Sequence, residues 1–404
     1  MIPRAGLPQV VALRDLDEVR ALMARMRVSP GGANIMDKKA LFRVVRVKGL
    51  DVRAANILKQ EMLSRGGEVA TSREVYELNG READCLVFGT LTQFERLLPK
   101  LRAQPFGLRD LAASIAAALE HYDARVPAFH AGFDLSKRPR VMGIVNVTPD
   151  SFSDPGDHFD PDVAVAAAWR MVEEGADMID VGGESTRPGS GRVSADEEIA
   201  RVLPVIKALA GSLPVPISID TYRASVAAAA LEAGAFMVND VSAFRMEPAI
   251  ADVVRDAGCP AVLMHMLGEP RTMQDNPVYD EVVQDLFTFF VERLTWAVER
   301  GVPEENLLVD PGIGFGKTLV HNLEIMRHIG SFRSLGRPIV LGASRKRFIG
   351  EILGLPEAKD RVIGTVATSV IAALHDVDIV RVHDVRENVE AIRLARAVFP
   401  TPEA

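Results

Sequence analysis

Cysteine is scarce in this chain: two in 404 residues, Cys85 and Cys259, far apart in sequence. That argues against a disulfide framework and against a cysteine-based metal site. The HExxH pattern is missing, and no second histidine or cysteine stands at ligand spacing from His265, so a zinc site is not expected. A basic excess is also lacking, since the formal net charge is −8. Nucleic-acid and membrane-surface roles call for positive charge, so neither partner is expected. No apolar stretch approaches the ~20 residues that span a bilayer. The first residues, MIPRAGLPQVVALRDLDE, hold no signal-peptide core before their charges. No low-complexity tract is present. The expectation is a cytoplasmic enzyme, and with 48% hydrophobic residues the chain can bury a large core.

What the chain does have is a recurring apolar run that stops at a polar side chain, eight times between Arg140 and Asp384. Val141–Val145 ends at Asn146, Met178–Val181 runs on to Glu184, and Ile217–Ile219 ends at Asp220. Phe236–Val238 ends at Asn239, Ala261–Met264 at His265, and Leu307–Val309 at Asp310. Ile339–Ala343 ends at Ser344 and Lys346, and Ile379–Val382 carries Arg381 and His383 at its end. Runs of this length suit strands buried on both faces. Helical patterns lie between them and predict a parallel sheet. Glycine follows two of these helices, at Glu174-Gly175-Ala176 and Ala233-Gly234-Ala235, where a left-handed cap is expected. Eight such units predict a (β/α)8 TIM barrel, with its chemistry at the carboxyl ends of the strands.

The grammar differs before about residue 130. Leu41–Val47 alternates like a strand, Arg53–Ser64 reads as an amphipathic helix, and Cys85–Phe88 reads as a strand. A helix is expected from Leu91 up to Pro99, and another over Leu108–His121. The expected organisation is a small α/β domain over residues 1–130, a connector over 131–139, and the barrel over 140–404. No catalytic pattern is visible in the first of these.

The strand ends and the loops after them carry the candidate chemistry. In Asn146-Val-Thr-Pro-Asp-Ser-Phe-Ser-Asp154 a single aromatic, Phe152, stands among small polar residues; it suits covering a flat ring, or packing as part of a turn. Gly182-Gly-Glu-Ser-Thr-Arg-Pro-Gly189 offers close backbone approach, the Thr186 hydroxyl and the Arg187 fork, which suits phosphate oxygens. The alternative is that Arg187 pairs with the acidic stretch Asp196–Glu198. Asp220, Asn239 and Asp310 end three neighbouring strands in this reading. Buried carboxylates need neutralising, by metal, by Lys346 and Arg381, or by a ring rich in N–H donors. The stretch Asp310-Pro-Gly-Ile-Gly-Phe-Gly-Lys317-Thr318 tempts a P-loop reading, but Pro311 occupies the place of the first required glycine. It reads instead as a Gly-rich turn bringing backbone and Phe315 to a planar ligand, with Lys317 a surface or supporting charge. Arg381 and His383 fall on one face of an extended strand and could grip one anion together, in the region where barrels place phosphates. For His383 the other reading is a packed histidine bonded to Asp384. A Mg²⁺ ion on Asn146 and substrate phosphates is compatible with this set, because Mg²⁺ needs few protein ligands.

These residues closely resemble the dihydropteroate synthase family of folate biosynthesis. The resemblance covers roughly Arg140 to the C-terminus. It rests on GIVNVTPDSFSD, DVGGESTRPG, ISIDT with VNDVSA, DPGIGFGKT, GASRK and RVHDV, in family order. It implies a transferase that joins 6-hydroxymethyl-7,8-dihydropterin pyrophosphate to p-aminobenzoate with release of pyrophosphate, and a sulfonamide target. By motif, Asp220, Asn239, Met264, Asp310, Phe315 and Lys346 resemble the pterin-binding set. Asn146, Thr186, Arg187, Arg381 and His383 resemble the set around pyrophosphate, with Asn146 toward Mg²⁺. Phe152, Thr186, Pro188 and Ser344 resemble positions around p-aminobenzoate, and Asp154 a loop acid near the reacting carbon. Asp154, Arg187, Lys346, Arg381 and His383 are the residues the resemblance ties to the reaction itself. A homodimer is implied as well. The chain departs from the family at Pro155-Gly156-Asp157, where Gly-Gly is usual, and at His375-Asp376-Val377. Two other readings share parts of the site. A corrinoid-dependent methyltransferase would keep the pterin grip without an anion clamp, and a pterin sensor need not keep the pyrophosphate set.

Overall fold

The computed structural model of the chain describes residues 9–77, 80–123, 134–135, 139–148, 160–184, 193–268 and 272–400. The chain divides into two compact units, Met1–Asp123 and Ala124–Ala404.

The first unit opens with helices α1 (Leu16–Arg25) and α2 (Pro30–Met36), capped by the Asp15 and Ser29 side chains. Strand β1 (Phe42–Asp51) leads into α3 (Val52–Leu63), then β2 (Glu68–Thr71), the short helix α4 (Arg73–Glu77) and β3 (Glu82–Thr90). The strands form an antiparallel sheet in the order β1-β3-β2. Alternation decides which face is covered: Ala83, Cys85 and Val87 of β3 are buried, and Leu58, Met62, Phe94 and Leu97 pack in the same core. Helix α5 (Leu91–Leu101) runs two residues past Pro99, which sequence reasoning took as its end. A proline in the last turn removes a single N–H bond. That loss is offset by the reciprocal Thr90–Gln93 capping box and by the buried stripe Leu91, Phe94, Leu97 and Leu101. Helix α6 (Leu108–Asp123) completes the unit.

Among its described residues the second unit holds eight parallel strands: β4 (Arg140–Asn146), β5 (Met178–Gly182), β6 (Ile217–Asp220), β7 (Met237–Asp240), β8 (Ala261–Met264), β9 (Leu307–Asp310), β10 (Val340–Leu341) and β11 (Ile379–Val382). Their order is β10-β11-β4-β5-β6-β7-β8-β9, and a parallel bridge from Val309 to Ile339 closes the ring. This is the (β/α)8 barrel that the runs predict. Strand β10 is shorter than its apolar run. The Ile339 N–H is drawn off to the Asp378 carboxylate at 2.8 Å, and past Leu341 the chain leaves the ladder toward Ser344. Helices α7 (Pro161–Glu173), α8 (Ala195–Leu209), α9 (Ala224–Glu232), α10 (Ile250–Ala257), α11 (Val282–Glu299), α12 (Leu319–Arg327), α13 (Arg347–Leu353), α14 (Val362–Leu374) and α15 (Val385–Val398) follow in chain order. Gly175 and Gly234 adopt the left-handed conformation after α7 and α9, as their positions required.

Side chains alternate in and out along every barrel strand. Outward residues such as Val141, Val145, Ile179, Val181, Ile219 and Val380 join the helices in one large core. Inward residues at the amino ends form a separate apolar layer of Met142, Met178, Met237, Val262, Leu308, Val340 and Ile379, plugged by Leu135. The inward positions above that layer are mostly polar, and with Met264 they make the candidate site. Among the described residues no helix is long and apolar enough to cross a membrane.

Candidate active site at the carboxyl ends of the barrel strands

Two residues above the methionine layer, the inner face of β5 carries Asp180, which is fully buried. Its Oδ2 accepts from Arg381 Nε of β11 at 2.6 Å and from Asn239 Nδ2 of β7 at 3.1 Å. Arg381 Nη2 donates to Asp220 Oδ2 of β6 at 2.7 Å. One guanidinium therefore bridges two carboxylates across the barrel. Burial pushes the Asp220 carboxyl up to about 7, with the Arg381 charge pulling it back and the Asp180 charge adding to the rise. Burial also works against the Arg381 charge, but Asp180 and Asp220 outweigh it and hold the guanidinium more basic than usual. The family resemblance puts Asp220 with the pterin groups and Arg381 with the anion groups; the fold pairs them, as the alternative of neutralisation by Arg381 allows.

Asp180 was missed among the candidates. The signal was present, because a lone carboxylate inside Met-Ile-Asp-Val-Gly shares the inner parity of Met178 and Gly182. Its Oδ1 and the hydroxyl of Ser218, the residue opposite it on β6, are buried without a hydrogen-bond partner.

Asp310 sits at the inner end of β9. It is not on a neighbour of the Asn239 strand, because β8 lies between them and offers Met264 at the facing position. Asp310 Oδ1 accepts the Gly312 N–H at 2.7 Å. Burial raises its carboxyl to about 6, opposed by that amide and by the Lys346 charge. Lys346 Nζ lies 3.9 Å from the centre of the Phe315 ring, a cation–π contact. Met264, Met266, Met273, Phe315 and Val241 form a buried apolar wall, with Tyr222 and Met246 packed on it. A buried carboxylate beside an apolar wall suits a flat ring with N–H donors at its edge.

Ser344 Oγ and His383 Nδ1 are 2.9 Å apart, and the His383 N–H donates to the same hydroxyl at 3.1 Å. Asp384, the other partner considered for His383, is taken by Arg345, whose Nε donates to it at 2.9 Å. Arg345 has φ +55, a strained value for a non-glycine residue. The Asp384 pair and a bond from its own N–H to Thr365 Oγ1 hold it there. Asn146 ends β4, half-buried. Glu198, considered as a partner of Arg187, is fully buried and bonded to Arg223, which also holds Glu184 and the Val193 carbonyl. Phe152, Asp154, Thr186, Arg187, Pro188 and the departure at Pro155-Gly156-Asp157 lie outside the described residues.

Of the two expectations for Lys317, a surface or a supporting charge, the structure excludes the first: it is 3% exposed and bonded to His265. The turn after β9 folds back over the end of β8 and takes the lysine inside, which a local reading could not show. Among the described residues no group of three or more His, Cys, Asp or Glu is arranged to hold a metal. Asn146 offers a carboxamide oxygen, the hard donor type that Mg²⁺ accepts.

The family profile described as pterin binding enzyme matches residues 142–383. A probable bifunctional folylpolyglutamate synthase/dihydropteroate synthase of Haloferax volcanii is 40% identical over 400 residues, covering 95% of this chain and 46% of that protein. The chain thus spans about half the length of that relative. The dihydropteroate synthase of Escherichia coli K12 is 44% identical over 270 residues, which is 67% of this chain and 95% of that enzyme. Xanthomonas albilineans dihydropteroate synthase in complex with 7,8-dihydropteroate superposes with a TM-score of 0.60 at 44% identity, over 66% of this chain and 96% of that one.

Proposed function

Since the chain belongs to the pterin binding enzymes, as a member of the dihydropteroate synthases, we propose that it joins 6-hydroxymethyl-7,8-dihydropterin pyrophosphate to p-aminobenzoate. The products are 7,8-dihydropteroate and pyrophosphate. The observation that carries this reading is the inner row of buried Asp180, Asn239 and Asp310 with half-buried Asp220, beside the Met264–Phe315 wall.

The pterin edge carries an amidine-like pair of donors. Ionised Asp310, with Oδ1 on the Gly312 amide, keeps Oδ2 for them. Asn239 borders the same side and Met264 packs against the ring. Lys346, held over Phe315, places positive charge where a ring oxygen or nitrogen would lie. The methylene–oxygen bond to pyrophosphate breaks first, and the ring spreads the resulting positive charge. The arylamine nitrogen then attacks the methylene carbon and sheds a proton to solvent. An arylamine is neutral at pH 7, so this chemistry asks for positioning and charge placement rather than a protein nucleophile. Ser344 and His383 stand on the side assigned to p-aminobenzoate and pyrophosphate, with Thr186, Arg187, Phe152 and Pro188 as their loop partners in the proposal. Asn146 and the pyrophosphate oxygens would hold Mg²⁺, which supplies neutralisation of the leaving-group charge.

Sulfonamides are expected to compete with p-aminobenzoate. A homodimer is supported by the apolar residues exposed on α13, α14 and α15, among them Ile352, Leu353, Ile363 and Leu394. The test is direct. The protein with Mg²⁺ and both substrates should release pyrophosphate and form 7,8-dihydropteroate; a folded protein that binds the pterin but yields no product would overturn the reading.

A further inference from the structure

Lys317 closes the Gly-rich turn after β9, and burial drives its amine well below the usual basicity. Among the described residues its Nζ hydrogen-bonds to no carboxylate. Its Nζ contacts His265 Nδ1 at 2.9 Å, the Phe315 carbonyl at 3.0 Å and the His265 carbonyl at 3.3 Å. Three acceptors match the three donors of an ammonium. Burial and the lysine charge hold the His265 ring neutral, its basicity pushed down to about 2. Its Nδ1 can then accept while Nε2 keeps the proton.

These bonds tie two strand ends together. The turn lies flat on the exit of β8. A Cβ on Gly312, which has φ +65, would fall 2.0 Å from the His265 carbonyl oxygen, and one on Gly316 would fall 2.7 Å from that of Leu267. Gln274 and Tyr279 hold the outer rim of the turn through the Gly314 and Gly316 carbonyls, at 2.6 and 2.8 Å. Lys317 alone among these grips the Phe315 carbonyl from inside. The Phe315 ring, in turn, sits under the Lys346 ammonium, and Gly312 donates to Asp310.

We propose that Lys317 is a positioning residue for the pterin side of the pocket. By bonding the Phe315 carbonyl and both acceptors of His265, it sets the place of the Phe315 ring, and through it of Lys346, without touching substrate itself. This rests on the synthase reading above. A lysine that merely stabilised the barrel would affect both substrates alike.

The test uses the full chain and four variants: Lys317→Met, Phe315→Ala, the pair of them, and His265→Leu. Circular dichroism and thermal unfolding first establish that each is folded. In Lys317→Met we expect the KM for the pterin substrate to rise about tenfold or more, and the KM for p-aminobenzoate to change less than about twofold. In the Phe315→Ala background the same substitution should add less than about twofold, because the path runs through that ring. His265→Leu removes one acceptor and leaves both carbonyls. It should give a smaller rise of the same kind, and it keeps the test alive if Lys317→Met does not fold. Equal changes in both KM values, no change in a folded variant, or full additivity with Phe315→Ala would each overturn the proposal. If the wild-type chain forms no dihydropteroate, the synthase reading falls. The dissociation constant for 6-hydroxymethyl-7,8-dihydropterin, compared between wild type and variants, then decides the role of Lys317 by itself.

Discussion

Replacing Arg381 with methionine should destabilise the barrel in a way that depends on pH and that a second substitution repairs. The guanidinium lies 2.6 Å from Asp180 Oδ2 and 2.7 Å from Asp220 Oδ2. With charge centres near 4 Å and an effective dielectric near 20, each attraction is about 4 kcal/mol gross. Desolvation of three charges takes back most of that. What decides the outcome is the pair of carboxylates left facing one another when the cation goes, a loss of about 3–5 kcal/mol for a broken buried pair. The Asp220 carboxyl is raised in the fold to about 7, against about 3.9 in the unfolded chain. The folded state therefore holds a proton that the unfolded state has already lost, so stability from this group falls as pH rises from about 4 through about 7. Without Arg381 the rise is larger still. Urea denaturation should then show the full loss at pH 8 and a clearly smaller one at pH 5.5, where a protonated carboxyl donates to its neighbour. Adding Asp220→Asn to Arg381→Met should recover stability at pH 8, since an amide can donate to Asp180. A loss below about 1 kcal/mol, equal losses at the two pH values, or a double variant weaker than the single one would refute this account of the ion pair.

Asp310→Asn should leave the fold intact, because the amide oxygen can still accept from Gly312. It turns the other oxygen into a donor facing donors, so the pterin KM should rise about tenfold or more; an unchanged value would show that Asp310 does not meet the pterin. With the Asp310 carboxyl raised to about 6 by burial, pterin affinity should weaken as pH falls through that value, because the protonated form cannot accept on both oxygens. Ser218→Ala removes a buried hydroxyl with no hydrogen-bond partner. Its effect on the urea midpoint should lie between neutral and about 1 kcal/mol stabilising, and a loss above about 2 kcal/mol would reveal a partner such as a bound water. Burial raises the Cys85 and Cys259 thiols to about 11, so neither should react with a thiol reagent at pH 8 until the chain is unfolded; rapid labelling of the native protein would contradict that.

Much of this architecture was legible along the chain. Eight apolar runs ending in polar residues sufficed for the barrel, because a parallel strand buried on both faces needs apolar side chains at both parities. The same runs placed Asn146, Asp220, Asn239, Asp310, Ser344 and Arg381 at one rim, since strands of one barrel all point the same way. Local chemistry also set the glycine caps at Gly175 and Gly234. The pairings were a different matter. Arg381 and Asp180 are 201 residues apart in the chain, and nothing local says that a guanidinium on the last strand will cross to the second. Barrel closure brings them together, and the cost of a bare buried charge then selects the partner. Lys317 shows the same limit from the other side. By composition it is a lysine after a glycine-rich turn, a place normally exposed. It is buried because that turn closes over β8, where the His265 ring and two backbone carbonyls supply the acceptors that water would otherwise provide. Periodicity and turn chemistry act within a few residues and so can be read from sequence; the partner of a buried charge depends on which distant groups the closed barrel brings within 3 Å.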